Sequence, residues 1–323
     1  MAERIGYLEA KLAGRMHRFL PVALLLALIV LAFGLRLWDL NATPPGLWWD
    51  EAGQGLDARE VLEGNFRIFF PRSSGKEPLY VYLTVPFAAL WDGQPIAVRL
   101  AGALMGALTV PALFLAGKAL LPEDPRRGSW FGLIAAAFWT INYWPQSINR
   151  LGFRVNTLVP LLTLAVVAWL NWTHRPTRRR AVTFGILAGL TLTTYLAARI
   201  TPFLWLILHF TLPSRKRREL RATLIWAFLA LLLVAAPLLA HFALNPQDFI
   251  ARMSSFDVVE GATTLGARIS VWLNSATKVF GVFFGGEGDP IPRHNLAGRP
   301  PFAPYLAVLF GIGLVLALFH LRK

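Results

Sequence analysis

Cysteine is absent from this 323-residue chain, and acidic residues are scarce, with 18 aspartates and glutamates against 32 lysines and arginines. The lack of cysteine excludes a disulfide framework and thiol chemistry. The six histidines are scattered without the spacing of metal ligands, so we expect neither a metal nor another cofactor. No glycine-rich P-loop and no repeat of fixed period occurs in the sequence, which leaves ATP-driven chemistry and repeat architectures without support.

Apolar residues dominate what is present: 55% of the chain is hydrophobic, 13% is aromatic and the mean hydropathy is +0.51. That profile is typical of a polytopic membrane protein. The first apolar run follows a basic N-terminus, is about 20 residues long and has no small-residue cleavage site after it, so we interpret it as a retained signal anchor. We predict one all-α domain over residues 1–323 with about eight transmembrane segments, at 19–38, 95–121, 130–147, 155–172, 181–196, 200–212, 222–244 and 302–321.

Basic residues are unevenly divided between the two sets of connecting segments. The two termini and three short connections hold 17 lysines and arginines in 45 residues, whereas the alternate segments hold 11 in 121 residues. By the positive-inside rule, the denser set is cytoplasmic. Both termini are then cytoplasmic, and the long loops 39–94 and 245–301 face outward. The net charge of +14 reflects this topology rather than binding to nucleic acid.

The outward loops contain short helical patterns. Residues 56–63 mix apolar and charged side chains in a way that predicts an amphipathic helix on the membrane surface. A second apolar helix is predicted over 78–91, with proline in its first turn and too few residues to span a membrane. The second loop shows helix-like pieces at 248–254 and 266–280, followed by a Gly/Pro-rich stretch from 281 to 304.

Two adjacent carboxylates, Asp50 and Glu51, follow two tryptophans at the outer edge of the membrane. Burying a carboxylate costs on the order of several kcal/mol unless it is paired or used, so the pair predicts a functional site. The alternative is that Asp50 caps a helix beginning at Glu51, since aspartate is a favoured N-cap. The residues alone leave both interpretations open.

Basic residues near the same edge are candidates for binding a lipid phosphate. Lys76 lies at the start of the second interfacial helix, Arg199 at the junction of two short apolar segments, and Arg150 with Arg154 in a short outer turn. Each also has a simpler interpretation: a salt bridge to a loop carboxylate for the lysine, and contact with lipid headgroups for the arginines. Snorkelling to the headgroups is the role expected of three further basic residues near span ends, Arg36, Arg99 and Lys118.

Taken in chain order, these residues resemble a known superfamily. The motif Trp49-Asp50-Glu51-Ala52, an interfacial helix, and Lys76-Glu77-Pro78-Leu79 are similar to elements of the GT-C membrane glycosyltransferases. The likeness extends over about residues 35 to 300 and includes Arg150-Leu-Gly-Phe-Arg154, Tyr195-x-x-x-Arg199 and Arg293-His294-Asn295-Leu296. Within that superfamily, the motifs more specifically resemble those of family 39, the polyprenyl- or dolichyl-phosphate-mannose protein mannosyltransferases, and of the related lipid A aminoarabinose transferases. The fold implied is a GT-C-type helical bundle.

The resemblance implies an enzyme of the cell membrane that moves a sugar from a polyprenyl-phosphate donor to an extracytoplasmic acceptor, which is a protein, a lipid or a glycan. Asp50 would deprotonate the acceptor hydroxyl in an inverting displacement, and Glu51 would position the acceptor or tune that carboxylate. The donor phosphate would be held by basic residues, namely Lys76, Arg199 and Arg150. The second loop would contribute a further part of the site through Arg293, His294 and Asn295.

Two features depart from the family pattern. The family's Lys-Pro-Pro-Leu element reads Lys76-Glu77-Pro78-Leu79 here, which places a carboxylate beside the proposed phosphate ligand. The chain is also shorter than is usual for the family, so truncation at the C-terminus is one expectation. The rival interpretations are a non-catalytic lipid-binding or assembly protein, a transporter, and an inactive paralogue. A transporter is disfavoured because the polar residues gather in the outer loops rather than in the middle of the spans.

Overall fold

The computed structural model describes residues 2–254 and 264–320, with side chains for 19–251 and 264–319. This part of the chain is helical, and its strand-like pairing is confined to one bridge between Phe70 and Lys76. The all-α prediction is therefore confirmed. The helices are α1 Ala2–Leu37, α2 Trp49–Leu62, α3 Leu79–Leu90, α4 Pro95–Leu120, α5 Pro125–Ile141, α6 Tyr143–Asn149, α7 Val155–His174, α8 Arg178–Leu192, α9 Thr201–Thr211, α10 Ser214–Leu244, α11 Pro246–Ser254, α12 Leu265–Val282 and α13 Pro304–His320, with a 3₁₀ turn at Leu196–Ile200.

The eight predicted apolar segments correspond to α1, α4, α5, α7, α8, α9, α10 and α13, although the segment 130–147 is interrupted at Asn142 and continues into α6. Among the described residues, four helices are long and apolar enough to cross a membrane: residues 19–37 of α1, and α4, α7 and α10. The other four have 11 to 17 residues. A full crossing needs about 20. The count of eight crossings therefore stays a prediction.

The centre of the bundle is formed by α4 and α7. In their most apolar stretches 56% and 50% of the residues are buried, against 17% in α1 and α10. α4 packs between α1 and α5, where Ala32, Ala107 and Ala136 belong to one core of small side chains. α7 packs against α8, and the rings of Trp172 and Phe184 stack with their centroids 5.5 Å apart. Small and aromatic side chains together fill the space between helices of unequal length.

The patterns Gly102-x-x-x-Gly106 and Gly185-x-x-x-Gly189 predict close packing of helices, and the structure confirms it at both. A Cβ atom on Gly185 would clash with the carbonyl of Ala227 in α10, and one on Gly106 would clash with the side chain of Asn149 in α6. Only a residue without a side chain permits these approaches. The contact between Gly106 and Asn149 also fixes α6 relative to α1, because Asn149 Oδ1 accepts a hydrogen bond of 3.0 Å from Arg36 Nε.

Replacing Gly106 by alanine is expected to destabilise the protein by about 1–3 kcal/mol, the cost of forcing a methyl group into a filled contact. Gly34→Ala in α1 is the matched control, because a Cβ atom there meets no described atom within 4 Å. Thermal unfolding of both variants in detergent measures the difference. Equal stability of the two variants would show that α4 and α6 do not make this contact.

The amphipathic stretch predicted at 56–63 lies mostly within α2, and its position on the membrane surface stays a prediction. Leu56 and Leu62 are 49% and 47% exposed, whereas Gln54 and Asp57 are 2% and 1% exposed. A carboxylate at Asp57 is tolerated inside the protein because it is paired with basic side chains of the first loop. The face of α2 that packs onto the protein therefore mixes polar and apolar residues, and its two leucines lie on the exposed side.

Arg36 and Arg99 are also buried, so the prediction that they snorkel to the headgroups is wrong for both. Arg36 pairs with Asn149, as described above. Arg99 donates hydrogen bonds to the carbonyl of Leu40 at 3.0 Å and to the carbonyl of Gly46. Both acceptors lie in the loop between α1 and α2. A prediction made from the position of a residue near the end of a span does not include contacts with that loop.

Candidate active site

The two long loops meet over one edge of the bundle, where α1 ends and α4 and α7 begin. The second loop docks onto the first through Arg293, which donates hydrogen bonds to the carbonyl of Pro45 at 2.7 Å and to that of Gly46 at 2.9 Å. The hydroxyl of Tyr143 in α6 lies 2.6 Å from the carbonyl oxygen of Pro300 and holds the far end of the same loop. Segments far apart in sequence thus form one surface.

Glu51 ties these segments together. Its Oε1 atom accepts hydrogen bonds of 3.0 Å from Arg99 Nε and from the backbone N–H of Gly152. Its Oε2 atom accepts one of 3.0 Å from the backbone N–H of Trp48 and another from Arg293. The side chain is completely buried. With four donors around it, this carboxylate holds α2, α4 and the second loop in place rather than facing a substrate.

Asp50 has a different environment from its neighbour. α2 begins at Trp49, so the N-cap is Trp48 and not Asp50, and the backbone N–H of Trp48 donates to the Glu51 side chain. Asp50 is half-buried and makes no hydrogen bond or ion pair with any described residue. It lines a cavity of about 350 Å³ whose other wall residues are Gln54, Ile148, Phe153, Arg154, Val155, Tyr195, Asp289 and His294.

Lys76 lies behind this cavity and not on its wall. A tight turn from Phe70 to Lys76, closed by two backbone hydrogen bonds and containing Gly75 at φ +93°, directs the lysine inward. Its Nζ atom donates to Asp57 Oδ2 at 2.6 Å, and both residues are buried. Burial lowers the pKa of Lys76, and the hydrogen bond to Asp57 opposes that shift. The negative charge of Asp50 also raises the pKa of Lys76, as a smaller effect.

Glu77, the departure from the family motif, holds two arginines and not Lys76. Its Oε2 atom accepts a hydrogen bond of 2.7 Å from Arg154, and its Oε1 atom accepts one of 3.0 Å from Arg199. Arg154 reaches the cavity wall, where its guanidinium carbon lies 5.5 Å from the centroid of the Tyr195 ring. The carboxylate that the motif adds therefore helps to fix a cation at the cavity.

Arg150 and Arg199 are engaged elsewhere. The Arg199 guanidinium lies against the rings of Phe242 and Phe249, at 4.8 and 4.6 Å from their centroids. Arg150 binds four backbone carbonyls at the end of α1 and in the turn after it, those of Leu35, Arg36, Asp39 and Thr43. Neither arginine is among the described residues that line the cavity. The structure thus brings Arg154 to the cavity wall and leaves the two predicted arginines off it.

The three predicted residues of the second loop have three different environments. Arg293 docks the loop onto Glu51, and His294 lines the cavity. The Asn295 amide donates to the carbonyl of Asp289 at 2.9 Å and to that of Arg299 at 2.8 Å, which closes the loop on itself. Of the three, His294 is the one that the structure brings to Asp50.

Sequence reasoning missed Gln54, Asp57 and Asp289. The first two had a signal, because Asp50, Gln54 and Asp57 follow the i, i+4, i+7 spacing that places side chains on one face of a helix. Asp289 had none, since it lies in the Gly/Pro-rich stretch, where no periodic pattern sets its direction.

Replacing Lys76 by methionine is expected to destabilise the protein by about 3 kcal/mol, because it leaves Asp57 buried with one partner, Arg72, on a part-exposed side chain. The double variant Asp57→Leu/Lys76→Met is expected to regain most of that stability. Thermal unfolding in detergent checks both. A Lys76→Met protein of wild-type stability with a raised KM for a polyprenyl-phosphate donor would instead make Lys76 a phosphate ligand.

Comparison with protein-family models gives no match, and a search of curated proteins gives none either. Among solved structures, the chain is similar to the Archaeoglobus fulgidus oligosaccharyltransferase in its complex with zinc and sulfate, with a TM-score of 0.55 and 17% sequence identity. The match covers 92% of this chain and 40% of that one. Within the part of the chain that the structure describes, no three His, Asp or Glu side chains come together as metal ligands would. At this identity the likeness shows the fold alone, and this chain has a GT-C-type helical fold.

Proposed function

We propose that the protein is a membrane glycosyltransferase that moves a sugar from a polyprenyl-phosphate donor to an acceptor hydroxyl outside the cytoplasm. The observation that carries the proposal is Asp50, a half-buried carboxylate that lines a polar cavity and is paired with no described residue. Such a group costs free energy unless it is used, and a general base is a use that fits its position. The oligosaccharyltransferase with the same fold supports the class of reaction.

In the proposed reaction, the acceptor oxygen attacks the anomeric carbon while the bond from that carbon to the phosphate oxygen breaks. Asp50 takes the proton of the acceptor hydroxyl, and polyprenyl phosphate leaves with the electron pair of the broken bond. A single displacement inverts the configuration at the anomeric carbon. Arg154 on the cavity wall, with Lys76 behind it, would supply positive charge to the departing phosphate.

An apolar groove supports a lipid-linked donor. Its volume is about 810 Å³, and it is lined by α13 and the loop before it, including Phe284, Pro300, Phe302, Ala307, Gly311 and Val315. The same loop carries Asp289 and His294 on the wall of the polar cavity. An isoprenoid chain in the groove would bury apolar surface while its phosphate stays near the cations.

The proposed site faces outward from the cell membrane, with both termini in the cytoplasm. The support is the charge distribution: the connecting segments dense in lysine and arginine lie at the ends of α4 and α7 remote from the cavity. A donor exposed on the outer leaflet and an extracytoplasmic acceptor then reach the cavity from the same side.

A non-catalytic lipid-binding or assembly protein on the same scaffold is the second candidate. The observation that favours it is the set of internal ion pairs, Lys76 with Asp57 and Arg199 with Glu77. These pairs occupy cations that a donor phosphate would need. The chain also spans only 40% of the length of the oligosaccharyltransferase that it resembles.

Transfer of radiolabelled sugar from a panel of polyprenyl-phosphate donors by the purified full chain tests the proposal. Turnover with any donor supports the glycosyltransferase. Binding of donor without turnover favours the second candidate. The donor assignment is wrong if the protein neither binds nor turns over any member of the panel.

A further inference from the structure

The cavity beside Asp50 presents hydrogen-bond acceptors that a single base does not explain. Gln54 is 2% exposed, and its Oε1 atom is buried without a partner in the described part of the chain. The Nε2 atom of His294 is likewise buried without a hydrogen-bond partner among the described residues. Both residues line the cavity. An unpaired buried polar atom costs free energy, so these two atoms are expected to pair with a bound molecule.

Asp289 determines which imidazole nitrogen of His294 faces the cavity. Its Oδ1 atom accepts a hydrogen bond of 2.8 Å from the backbone N–H of Ile291, which fixes the carboxylate, and its Oδ2 atom lies 3.1 Å from His294 Nδ1. The rings of Trp48 and Phe153 lie edge-on to the imidazole, at centroid distances of 6.1 and 5.2 Å. A carboxylate only accepts, so Nδ1 carries a proton, and in the tautomer that this contact selects Nε2 is the acceptor atom.

We propose that Gln54 and His294 form a carbohydrate subsite, in which Gln54 Oε1 and His294 Nε2 accept hydrogen bonds from sugar hydroxyls. The inference rests on the proposed function and deepens it, because it assigns the part of the site that recognises a sugar. A wall whose unpartnered atoms are acceptors matches a ligand rich in O–H donors. The phosphate of the donor only accepts hydrogen bonds and would leave both of these atoms unpaired.

The charges around the subsite agree with a neutral, hydroxyl-rich ligand. Asp50 and Asp289 bring two carboxylates to the wall, against the one guanidinium of Arg154. The Gln54 and His294 side of the cavity therefore has no excess of positive charge to attract an anion. The hydroxyls that it binds belong either to the sugar of the donor or to a glycan acceptor, and the experiment below separates these sources.

The first arm of the test measures binding of the methyl glycosides of mannose, glucose and galactose to the purified full chain by saturation-transfer NMR. The wild type is expected to bind at least one of them. Gln54→Leu and His294→Phe, each of which removes one acceptor atom, are expected to bind about tenfold more weakly. The matched control is Gln94→Leu, at an exposed glutamine before α4, which is expected to bind as the wild type does. Thermal unfolding verifies that each variant is folded.

The role of Asp289 as a positioning residue has its own readout. Asp289→Ala is expected to remove the preference for a proton on Nδ1, which the imidazole ¹⁵N signals of His294 report. A purely structural role would leave the tautomer unchanged.

The second arm separates the two sources of the hydroxyls in the transfer assay. A KM raised for the polyprenyl-phosphate donor in Gln54→Leu assigns the subsite to the sugar of the donor, and a KM raised for a glycan acceptor assigns it to the acceptor. The subsite is overturned if the wild type binds none of the glycosides or if both variants bind them equally well. Glycoside binding without sugar transfer would leave the subsite standing and contradict only the proposed function.

Discussion

Replacing Asp50 by asparagine is expected to lower the rate of sugar transfer by about 10²–10⁴-fold, the usual contribution of a positioned base. Asparagine keeps the shape of the side chain but takes no proton from a hydroxyl. Because Asp50 has no hydrogen bond or ion pair to another described residue, the variant loses no internal contact and should unfold at the wild-type temperature. Transfer of radiolabelled sugar and thermal unfolding, measured on one preparation, test both expectations.

The matched control is Asp92→Asn, a carboxylate of the same outer loop. Asp92 is exposed, lies 3.8 Å from Arg59 and is not among the described residues that line the cavity. Its variant is therefore expected to keep full activity. Donor binding by Asp50→Asn should persist, since the phosphate is assigned to basic residues. Wild-type turnover by Asp50→Asn would remove this carboxylate from the chemistry.

Replacing Glu51 by glutamine is expected to destabilise the protein by about 3–5 kcal/mol, because it leaves Arg99 as an uncompensated charge inside the protein. The NH₂ group of the glutamine would also face hydrogen-bond donors where Glu51 has an acceptor oxygen. These donors are Arg99, Arg293 and two backbone N–H groups. Loss of activity should follow from loss of structure, since the second loop docks on this carboxylate. Thermal unfolding in detergent measures the effect.

The Glu51 contribution is also expected to depend on pH. Burial raises the pKa of this carboxyl, but hydrogen bonds from Arg99 and from the backbone N–H groups of Trp48 and Gly152 lower it, and the net pKa lies below the ordinary value. A carboxyl whose pKa falls on folding stabilises the protein fully above its unfolded pKa of about 4.3, and that stabilisation is lost as the pH falls through the folded value. The gap between wild type and Glu51→Gln should therefore shrink at acidic pH.

Glu63→Gln provides the control for the same kind of substitution. Its side chain is 60% exposed and lies 3.6 Å from Arg59, so the change is expected to alter stability by less than about 0.5 kcal/mol. If Glu51→Gln were as stable as Glu63→Gln, the four-donor arrangement around Glu51 would not hold the loops together.

The length and polarity of the apolar runs are enough to predict the helices. A chain segment in lipid must satisfy its own backbone hydrogen bonds, so long apolar runs become helices whatever surrounds them. The eight predicted segments correspond to helices, and the shorter helices predicted at 78–91 and 266–280 correspond to α3 and α12. The same local rules do not give the burial of Asp57 in α2, because the basic side chains that pair with it lie outside the helix.

The candidate site, too, combines features that are local in sequence with features that depend on distant contacts. Local sequence predicts that an acid pair, Asp50 and Glu51, lies at one edge of the bundle, since adjacency and position are local properties. Successive residues of a helix point about 100° apart, so only one of the pair faces the cavity, and the rotation of α2 decides which one. That rotation is set by Arg99 and Arg293, which are 48 and 242 residues from Glu51.

Tertiary contacts determine which charged residues pair with each other and which are left for a ligand. Arg36 and Arg99 are buried, Lys76 is matched to Asp57, and His294 is brought beside Asp50, each through a contact between distant parts of the chain. A charge is stable inside a protein only when a partner is in place. The identity of that partner depends on how the loops pack rather than on any residue adjacent in sequence.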